Sequence, residues 1–338
     1  MNQETNQPLI EATVNSAIKR IQNDPERSMR NIVDMALMFC SNGRFQQQFL
    51  ELAQKMLENE DSSYYRLIPD LLANTDSKRI TSMGINVGYH SCTRGARMIR
   101  KNEEEQGFNV PWCISLDIDA DMFQKNKKQY LNLLDEGQNL GIYTWIIRAQ
   151  NNLLSIIELT QKYTDCAFIL ICNPQDINES ILDEFSEIYN IMFAINYTYG
   201  IEDTCTLLRK RKFLYSVLYQ YTEQNAVNIL NDSVLYDLSS LHAVFSLFCA
   251  ESQCPAHLQK EIFEYIQNMR FKQCFAIFPF DLIHDIHFID EIISKDGVSI
   301  WFDCEGNTHT IFPERKTFSY NLFENSLTNL LKRIVPKS

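Results

Sequence analysis

The stretch that decides the fold is Asn109–Asp117, NVPWCISLD, which continues as IDAD through Asp121. Its apolar residues run nearly continuously, without the strict alternation of a half-buried strand. Such a run predicts a strand buried on both faces, as in a parallel sheet covered by helices. The polar residues that follow predict that the strand passes directly into a helix.

Five later segments repeat this pattern, and amphipathic helical stretches separate them. The six predicted strands are Trp112–Ile118, Ile142–Ile147, Ala167–Cys172, Ile191–Tyr197, Phe213–Tyr221 and Leu241–Phe248. Alternating strands and helices with short connections favour right-handed β/α units. The predicted fold class is therefore α/β, a partial (open) parallel β/α barrel of about six strands.

The flanking segments have a different character. Apolar stripes predict helices around residues 9–21, 25–40, 45–57 and 64–72, while 83–89 fits either a short strand or a helix. Near the other end, 298–312 predicts a β-hairpin and Ser326–Ile334 a closing helix. We expect a helical N-terminal region over 1–107, packed on the barrel of 108–270, and an extension over 271–338.

Composition excludes several classes of function. The net charge of −12 argues against a nucleic-acid partner, because such affinity depends on Lys and Arg neutralising phosphates. No apolar run reaches the roughly 20 residues that span a bilayer, and no secretory signal pattern is visible, so we expect a cytoplasmic protein. The ten cysteines form no CxxC or CxxxC pair, which favours buried free thiols over a metal site.

Polar side chains follow the predicted strands, at the edge where β/α barrels bind ligands. The candidate ligand-binding residues are Asp117, Asp119, Arg148, Asn173, Asn196 and Thr198. An arginine facing two carboxylates could bind a zwitterion or a peptide end. The alternative is that Asp117 or Asp119 caps the next helix and pairs with Arg148.

One histidine-rich patch is a weak candidate for a metal site. It comprises His284, His287 and the more distant His309. Their spacing matches no specific metal signature, so surface or hydrogen-bonded histidines are favoured and no metal is predicted.

Seven short strings, taken in order, resemble radical SAM proteins that carry a SPASM-like C-terminal extension. The strings are Asp24–Glu26, Ser62–Ile68, Gly107–Trp112, Leu140–Tyr143, Tyr221–Asn225, Glu305–Asn307 and Asn321–Leu327. The resemblance covers nearly the whole chain. It implies a barrel with an iron–sulfur cluster and S-adenosylmethionine (SAM) at the carboxyl ends of the strands.

The functional motifs of that family are not matched. No cysteine lies between Cys113 and Cys166, where the family has its CxxxCxxC loop. By position, the family's GGEP motif corresponds to Ala149–Asn152, and its ribose contacts to Asn196 and Thr198. An auxiliary-cluster cysteine corresponds to Ile311.

The sequence therefore predicts a degenerate radical SAM-like protein that has no four-iron cluster and acts by binding a peptide or a partner protein. No cofactor is predicted. The alternative is an enzyme that uses the barrel mouth without a cluster, or a protein that still binds SAM. No nucleic-acid or membrane partner is expected.

Overall fold

The computed structural model describes residues 51–150, 152–294, 296–310 and 320–337, together with residues 12, 16, 20, 27, 28, 30, 31, 33 and 34. Most of the helices predicted around 9–21 and 25–40 lie outside the described residues. So do the first part of the helix predicted over 45–57 and residues 311–312 of the predicted hairpin.

Nine strands form one sheet. In chain order they are β1 Cys113–Asp119, β2 Thr144–Gln150, β3 Ala167–Cys172, β4 Ile191–Asn196, β5 Tyr215–Tyr221, β6 Phe245–Ala250, β7 Phe278–Asp281, β8 Ile300–Phe302 and β9 Thr308–Thr310. The strand order is β7-β6-β5-β4-β3-β2-β1-β8-β9. The pairs β1–β2, β2–β3, β5–β6, β6–β7 and β1–β8 are parallel, and β8–β9 is antiparallel. The predicted fold class, a partial, open parallel β/α barrel, is confirmed.

The sheet has three strands more than the six that the sequence predicted. The predicted hairpin supplies β8 and β9, and β8 also pairs in parallel with β1, which extends the sheet. Strand β7 has only four residues and contains Pro279, which interrupts the strand pattern. A proline is tolerated there because β7 is an edge strand, where one backbone N–H needs no ladder partner.

Helices connect most of the strands. The α-helices whose two ends lie among the described residues are α1 Tyr64–Asn74, α2 Ser77–Ile85, α3 Ala96–Gln106, α4 Ala120–Lys125, α5 Lys127–Leu140, α6 Ile157–Lys162, α7 Glu179–Glu184, α8 Ile201–Lys210, α9 Val227–Leu230, α10 Ser233–Ser239, α11 Ala256–Lys272, α12 His284–Ser294 and α13 Leu327–Ile334. Residues 51–56 are also helical. A π-helix covers Asn86–Gly95, and 3₁₀ turns cover Leu153–Ile156 and Pro174–Asp176. The segment 83–89 is therefore helical, and the alternative of a short strand is wrong.

The chain divides into two compact units. Unit 1 comprises Met1–Ile85 and Ala194–Leu282, and unit 2 comprises Asn86–Phe193 and Ile283–Ser338. The sequence-based division at residues 107 and 270 stays a prediction. No helix among the described residues is long and apolar enough to cross a membrane.

In unit 1, helix α1 is fixed by polar contacts to later segments. The backbone N–H of Ser63 donates to the carbonyl oxygen of Gln273 at 2.9 Å. The guanidinium of Arg209, on α8, donates two hydrogen bonds to the carboxylate of Asp70, at 2.5 and 2.7 Å. This bidentate pair gives α1 one defined position against α8.

In unit 2, a buried side-chain amide and backbone hydrogen bonds tie the neighbouring segments to strands β1–β3. The side-chain amide of Asn86 donates to the carbonyl oxygens of Thr164 and Cys166, at 2.8 and 2.9 Å. Near the start of β1, the N–H of Asn109 donates to the carbonyl oxygen of Val335 at 2.8 Å. The segment after α13 thus packs beside the entry to β1.

Two glycines allow the π-helix to approach the end of α5. Gly141 follows α5 with a φ of +107°, and a Cβ built on it would lie 2.5 Å from the carbonyl oxygen of Gly95. We expect Gly141→Ala to destabilise the protein by about 2–4 kcal/mol, since it adds left-handed strain to an overlap with backbone. Urea denaturation followed by circular dichroism measures the change.

The matched control is Gly84→Ala, in helix α2. A Cβ at Gly84 would meet no atom within 4 Å, and φ there is not positive. This variant should gain about 0.4–1 kcal/mol through the lower entropy of its unfolded chain. Equal effects of the two substitutions would contradict the packing described for Gly141.

Candidate functional site

The strand register of unit 2 brings polar side chains from four strands onto one face of the sheet. Asp117 on β1 is paired with Arg148 on β2, and Ser115 is paired with Trp301 on β8. Trp301 is in turn paired with His309 on β9. Register partners, and residues two apart on one strand, share a face, so these five side chains lie on the same side of the sheet.

This face, which we call the open face, is reached by solvent even in the middle of its strands. Ser115 and Ile169, central in β1 and β3, are half-buried, whereas Ile146, between them on β2, is 4% exposed. On the opposite face, Leu116 and Ile147 are 1% and 0% exposed. A barrel filled by side chains would bury both faces. The open face of unit 2 therefore has side chains that solvent reaches, both at the carboxyl ends of the strands and in the middle of β1 and β3.

Asp117 is a partly buried carboxylate that Arg148 neutralises only in part. Its Oδ1 lies 3.5 Å from Nη1 of Arg148, which is beyond a strong hydrogen bond. Burial raises the pKa of Asp117, the positive charge of Arg148 lowers it, and the negative charge of Asp303 raises it again. The net direction is upward, so burial outweighs the attraction of Arg148. A further positive charge near Asp117 would stabilise its ionised form.

The loop between β8 and β9 holds a carboxylate–imidazole pair. Oδ2 of Asp303 lies 2.8 Å from Nε2 of His309, and the His309 ring stacks on Trp301 with centroids 5.4 Å apart and an interplanar angle of 12°. Asn307 donates to Asp303 from its backbone N–H at 2.8 Å and from its side chain at 3.0 Å. Burial opposes ionisation of Asp303, but these hydrogen bonds outweigh it and lower its pKa. The pair is thus rigidly placed beside Asp117.

Asp119 is the N-cap of α4. Its Oδ1 accepts hydrogen bonds from the backbone N–H groups of Asp121 and Met122, at 2.9 and 3.1 Å. The helix begins at Ala120, directly after the last residue of β1. The carboxylate of Asp119 therefore satisfies helix N–H groups, as the alternative reading of the sequence supposed.

The other predicted ligand-binding residues lie on two separate units. Asn173 follows β3 in unit 2, where its backbone N–H donates to Oδ2 of Asp176 at 2.7 Å. Asn196 is the last residue of β4, and Thr198 lies between β4 and α8; both belong to unit 1. Direct contact among the predicted residues is seen between Asp117 and Arg148. The wider role assigned to the six residues stays a prediction.

The three histidines have different partners. His284 begins helix α12, His287 lies 3.5 Å from Glu291 one turn further along that helix, and His309 contacts Asp303 on the hairpin. No group of three or more metal-ligating side chains is arranged to hold an ion among the residues that the structure describes. The sequence-based view of these histidines stays a prediction.

Sequence reasoning missed Trp301 and Asp303 as site residues, together with one group behind the strand ends. Tyr130 on α5 is 1% exposed, and its hydroxyl has no hydrogen-bond partner among the described residues. Burial is the largest cause that raises the pKa of Tyr130, and the negative charges of Asp119 and Asp303 raise it further. The alternation of Ile300 and Phe302 with Trp301 and Asp303 is a signal that could have identified β8 as a lining strand.

The strand order, with polar side chains at the carboxyl ends of parallel strands, defines an open, partial β/α barrel. Solved structures similar to this chain are of SuiB from Streptococcus suis. SuiB bound to S-adenosylmethionine matches with a TM-score of 0.50 at 9% identity, over 70% of this chain and 66% of that chain. The matched part thus spans about two thirds of that SuiB chain.

Two further SuiB structures match less closely in shape. One has a TM-score of 0.47 at 10% identity, and the other, bound to precursor peptide SuiA, has 0.48 at 9% identity; both comparisons cover 82% of this chain and 81% of SuiB. No protein-family model matches the chain. No curated protein matches its sequence. The comparisons therefore establish the fold alone.

Within the part of the chain that the structure describes, no three thiolates are grouped as an iron–sulfur cluster requires. Helix α4 starts directly after β1, and no cysteine occurs from residue 114 to 165. The thiol near the carboxylates of this site is Cys304. Burial and the negative charges of Asp117 and Glu305 raise its pKa to about 11, which favours the protonated thiol. No step of a mechanism through such a cluster can be built on these residues.

The raised pKa of Cys304 is testable by alkylation. We expect the iodoacetamide reaction at Cys304 to accelerate with pH up to about 11, the pKa set by burial and nearby carboxylates. Asp117→Asn removes a negative charge that disfavours the thiolate, so it should lower that pKa and speed the reaction at pH 8. Mass spectrometry of the Cys304 peptide gives the rate, and exposed Cys274 serves as the reference for reagent activity. A titration midpoint at the ordinary thiol value would contradict the described environment.

Proposed function

We propose that this chain acts by binding, through the open face of unit 2, and that it does not use radical chemistry on an iron–sulfur cluster. The observation that carries the proposal is the junction of β1 and α4. Asp119 ends β1 and caps α4, so the position of a cluster-binding loop is taken by a helix start. Among the described residues, the strand ends of unit 2 carry the carboxylates of Asp117 and Asp303, the imidazole of His309 and the guanidinium of Arg148.

The ligand that suits this set is a peptide segment. Arg148 offers a cation and Asp117 an anion 3.5 Å apart, which matches the opposite charges of a peptide's termini or side chains. Trp301 adds an exposed aromatic surface, and its register partner on β1 is half-buried Ser115. Pockets that combine an apolar wall with a few convergent polar groups are typical binding sites.

The proposed setting is the cytoplasm, with a peptide or protein partner and without nucleic acid or membrane. Support comes from the cysteines, since the nine in the described residues are all free thiols, as is usual in a reducing compartment. The net charge of −12 disfavours phosphate backbones as partners.

A second candidate is an enzyme that works at this site without a cluster. The hydrogen bond of 2.8 Å between Asp303 and His309 favours it, since a carboxylate-held imidazole is a common general base. SAM is the cosubstrate that the fold would suggest. Calorimetric titration with SAM separates the two candidates: saturable one-site binding that Asp303→Asn weakens would favour the enzyme, and no binding would favour the first proposal.

The proposal predicts that reconstitution with iron and sulfide fails to build a cluster. After anaerobic treatment, the desalted protein should remain colourless, with no charge-transfer absorbance and no EPR signal on reduction, because three thiolates do not converge. Iron and sulfide analysis gives the stoichiometry. A stoichiometric four-iron cluster with its EPR signal would overturn the binding-only function.

A second prediction concerns Arg148. For short peptides that bind the wild type, we expect Arg148→Ala to lower the affinity roughly tenfold. A charged hydrogen-bonding group at a ligand site contributes about 1.5–3 kcal/mol to binding. The thermal midpoint should barely move, since Arg148 is a partly exposed side chain. Fluorescence anisotropy of a labelled panel with free and blocked termini measures the affinities.

Arg97→Ala, on the exposed side of α3, is the control for loss of one positive charge and should bind like the wild type. If Arg148→Ala unfolds the protein while affinity per folded molecule stays the same, Arg148 is a structural ion-pair partner. The binding site would then have to lie elsewhere.

A further inference from the structure

Trp301 presents an aromatic surface to solvent on the open face. Its side chain is 36% exposed, whereas Trp112 and Trp145 are 5% and 0% exposed. The His309 ring covers one face of the indole, so the exposed surface lies on its other face and edges. His309 is itself held by Asp303 at 2.8 Å. The indole is thus fixed in orientation before any ligand arrives.

An accessible surface lies beside this indole. On β1 the register partner of Trp301 is Ser115, and the partner of Ser115 on β2 is Ile146. Ser115 is half-buried and Ile146 is 4% exposed, so the part of this row that solvent reaches lies over Ser115, next to Trp301. We call this surface, formed by Ser115 and the adjacent indole of Trp301, the indole slot.

The open end of the indole slot is acidic. Asp117 follows Ser115 by two residues on the same face, and the charge of Asp303 raises the pKa of Asp117, as expected for a neighbouring carboxylate. Arg148 is the cation paired with Asp117, at 3.5 Å. Among the described residues, burial raises the pKa of Asp117 more than the charges of Arg148 and His309 lower it, so the carboxylate is under-compensated.

We propose that the indole slot binds the guanidinium group of an arginine side chain on the peptide ligand, an inference that rests on the proposed binding function. The planar cation stacks on the exposed face of Trp301, and its N–H groups donate to the carboxylate of Asp117. Both contacts are ones that guanidinium makes well, through cation–π stacking and through two parallel hydrogen bonds to a carboxylate.

A guanidinium fits this arrangement better than an ammonium group. The exposed indole is a flat surface that favours a planar cation, and a guanidinium is planar whereas an ammonium is a compact, strongly hydrated charge. A neutral planar group would fill the same space but would leave Asp117 without its added counter-charge.

The test uses three blocked amino acids of matched length. The probes are the N-acetyl methylamides of arginine, citrulline and lysine, titrated while tryptophan fluorescence is followed. Trp301 should dominate the response, because the other two tryptophans are buried. We expect the arginine probe to bind saturably. The affinity of the citrulline probe should be at least tenfold lower than that of the arginine probe, and the affinity of the lysine probe about fivefold lower.

Variants locate the binding. Trp301→Leu and Asp117→Asn should each lower the affinity for the arginine probe at least tenfold. Binding to Trp301→Leu is measured by calorimetry, because this variant lacks the reporting indole. Circular dichroism should show that both variants are folded. Asp121→Asn is the control, because it removes the same charge from an exposed position two residues beyond β1 and should change the affinity less than twofold.

Three results would overturn the inference: no binding of the arginine probe, equal binding of the citrulline or lysine probe, or unchanged affinity in Asp117→Asn. These are distinguishable from failure of the proposed function. If members of the peptide panel bind the wild type in a way that depends on Arg148, the binding function stands and only the arginine assignment is wrong. If no panel peptide binds, both proposals fail.

Discussion

The parallel pairing of β1 with β2 on one side and β8 on the other is the constraint on which the site depends. It sets Asp117 beside Arg148 and brings the hairpin, with Trp301 and His309, onto the same face of the sheet. A slip of one residue in β8 would turn Trp301 to the opposite face and replace it with an apolar core residue. The buried side chains of Ile300 and Phe302, 3% and 1% exposed, hold the register.

The same pairing explains why the strand ends are electrostatically unbalanced. Carboxylates from β1 and from the β8–β9 loop meet at one edge, where Arg148 is the cation paired with Asp117. Asp303 is satisfied by His309 and Asn307, and Asp119 by helix N–H groups. Asp117 has the weakest compensation of the three, so the binding energy of a cationic ligand would be concentrated there.

Much of the fold was predictable because it depends on local patterns. The continuous apolar run through β1 and the five like it predict buried parallel strands, and Asp119 before Ala120 predicts a helix start. The parallel joining of β8 to β1 was not predictable, since a three-residue strand paired across about 185 positions leaves no local signal. The face shared by Asp117 and Trp301 follows from that pairing alone, which is why the aromatic half of the site was missed.

Burial of Asp117 outweighs the charges that stabilise its ionised form, so a cationic ligand group would stabilise that form further. The most direct measurement is an NMR titration of its carboxyl carbon in selectively labelled protein, with and without a saturating arginine-containing peptide. The account predicts a pKa above the ordinary aspartate value in the free protein, and a downward shift when the peptide binds. A pKa at or below the ordinary value in the free protein, or one that does not move on binding, would contradict it.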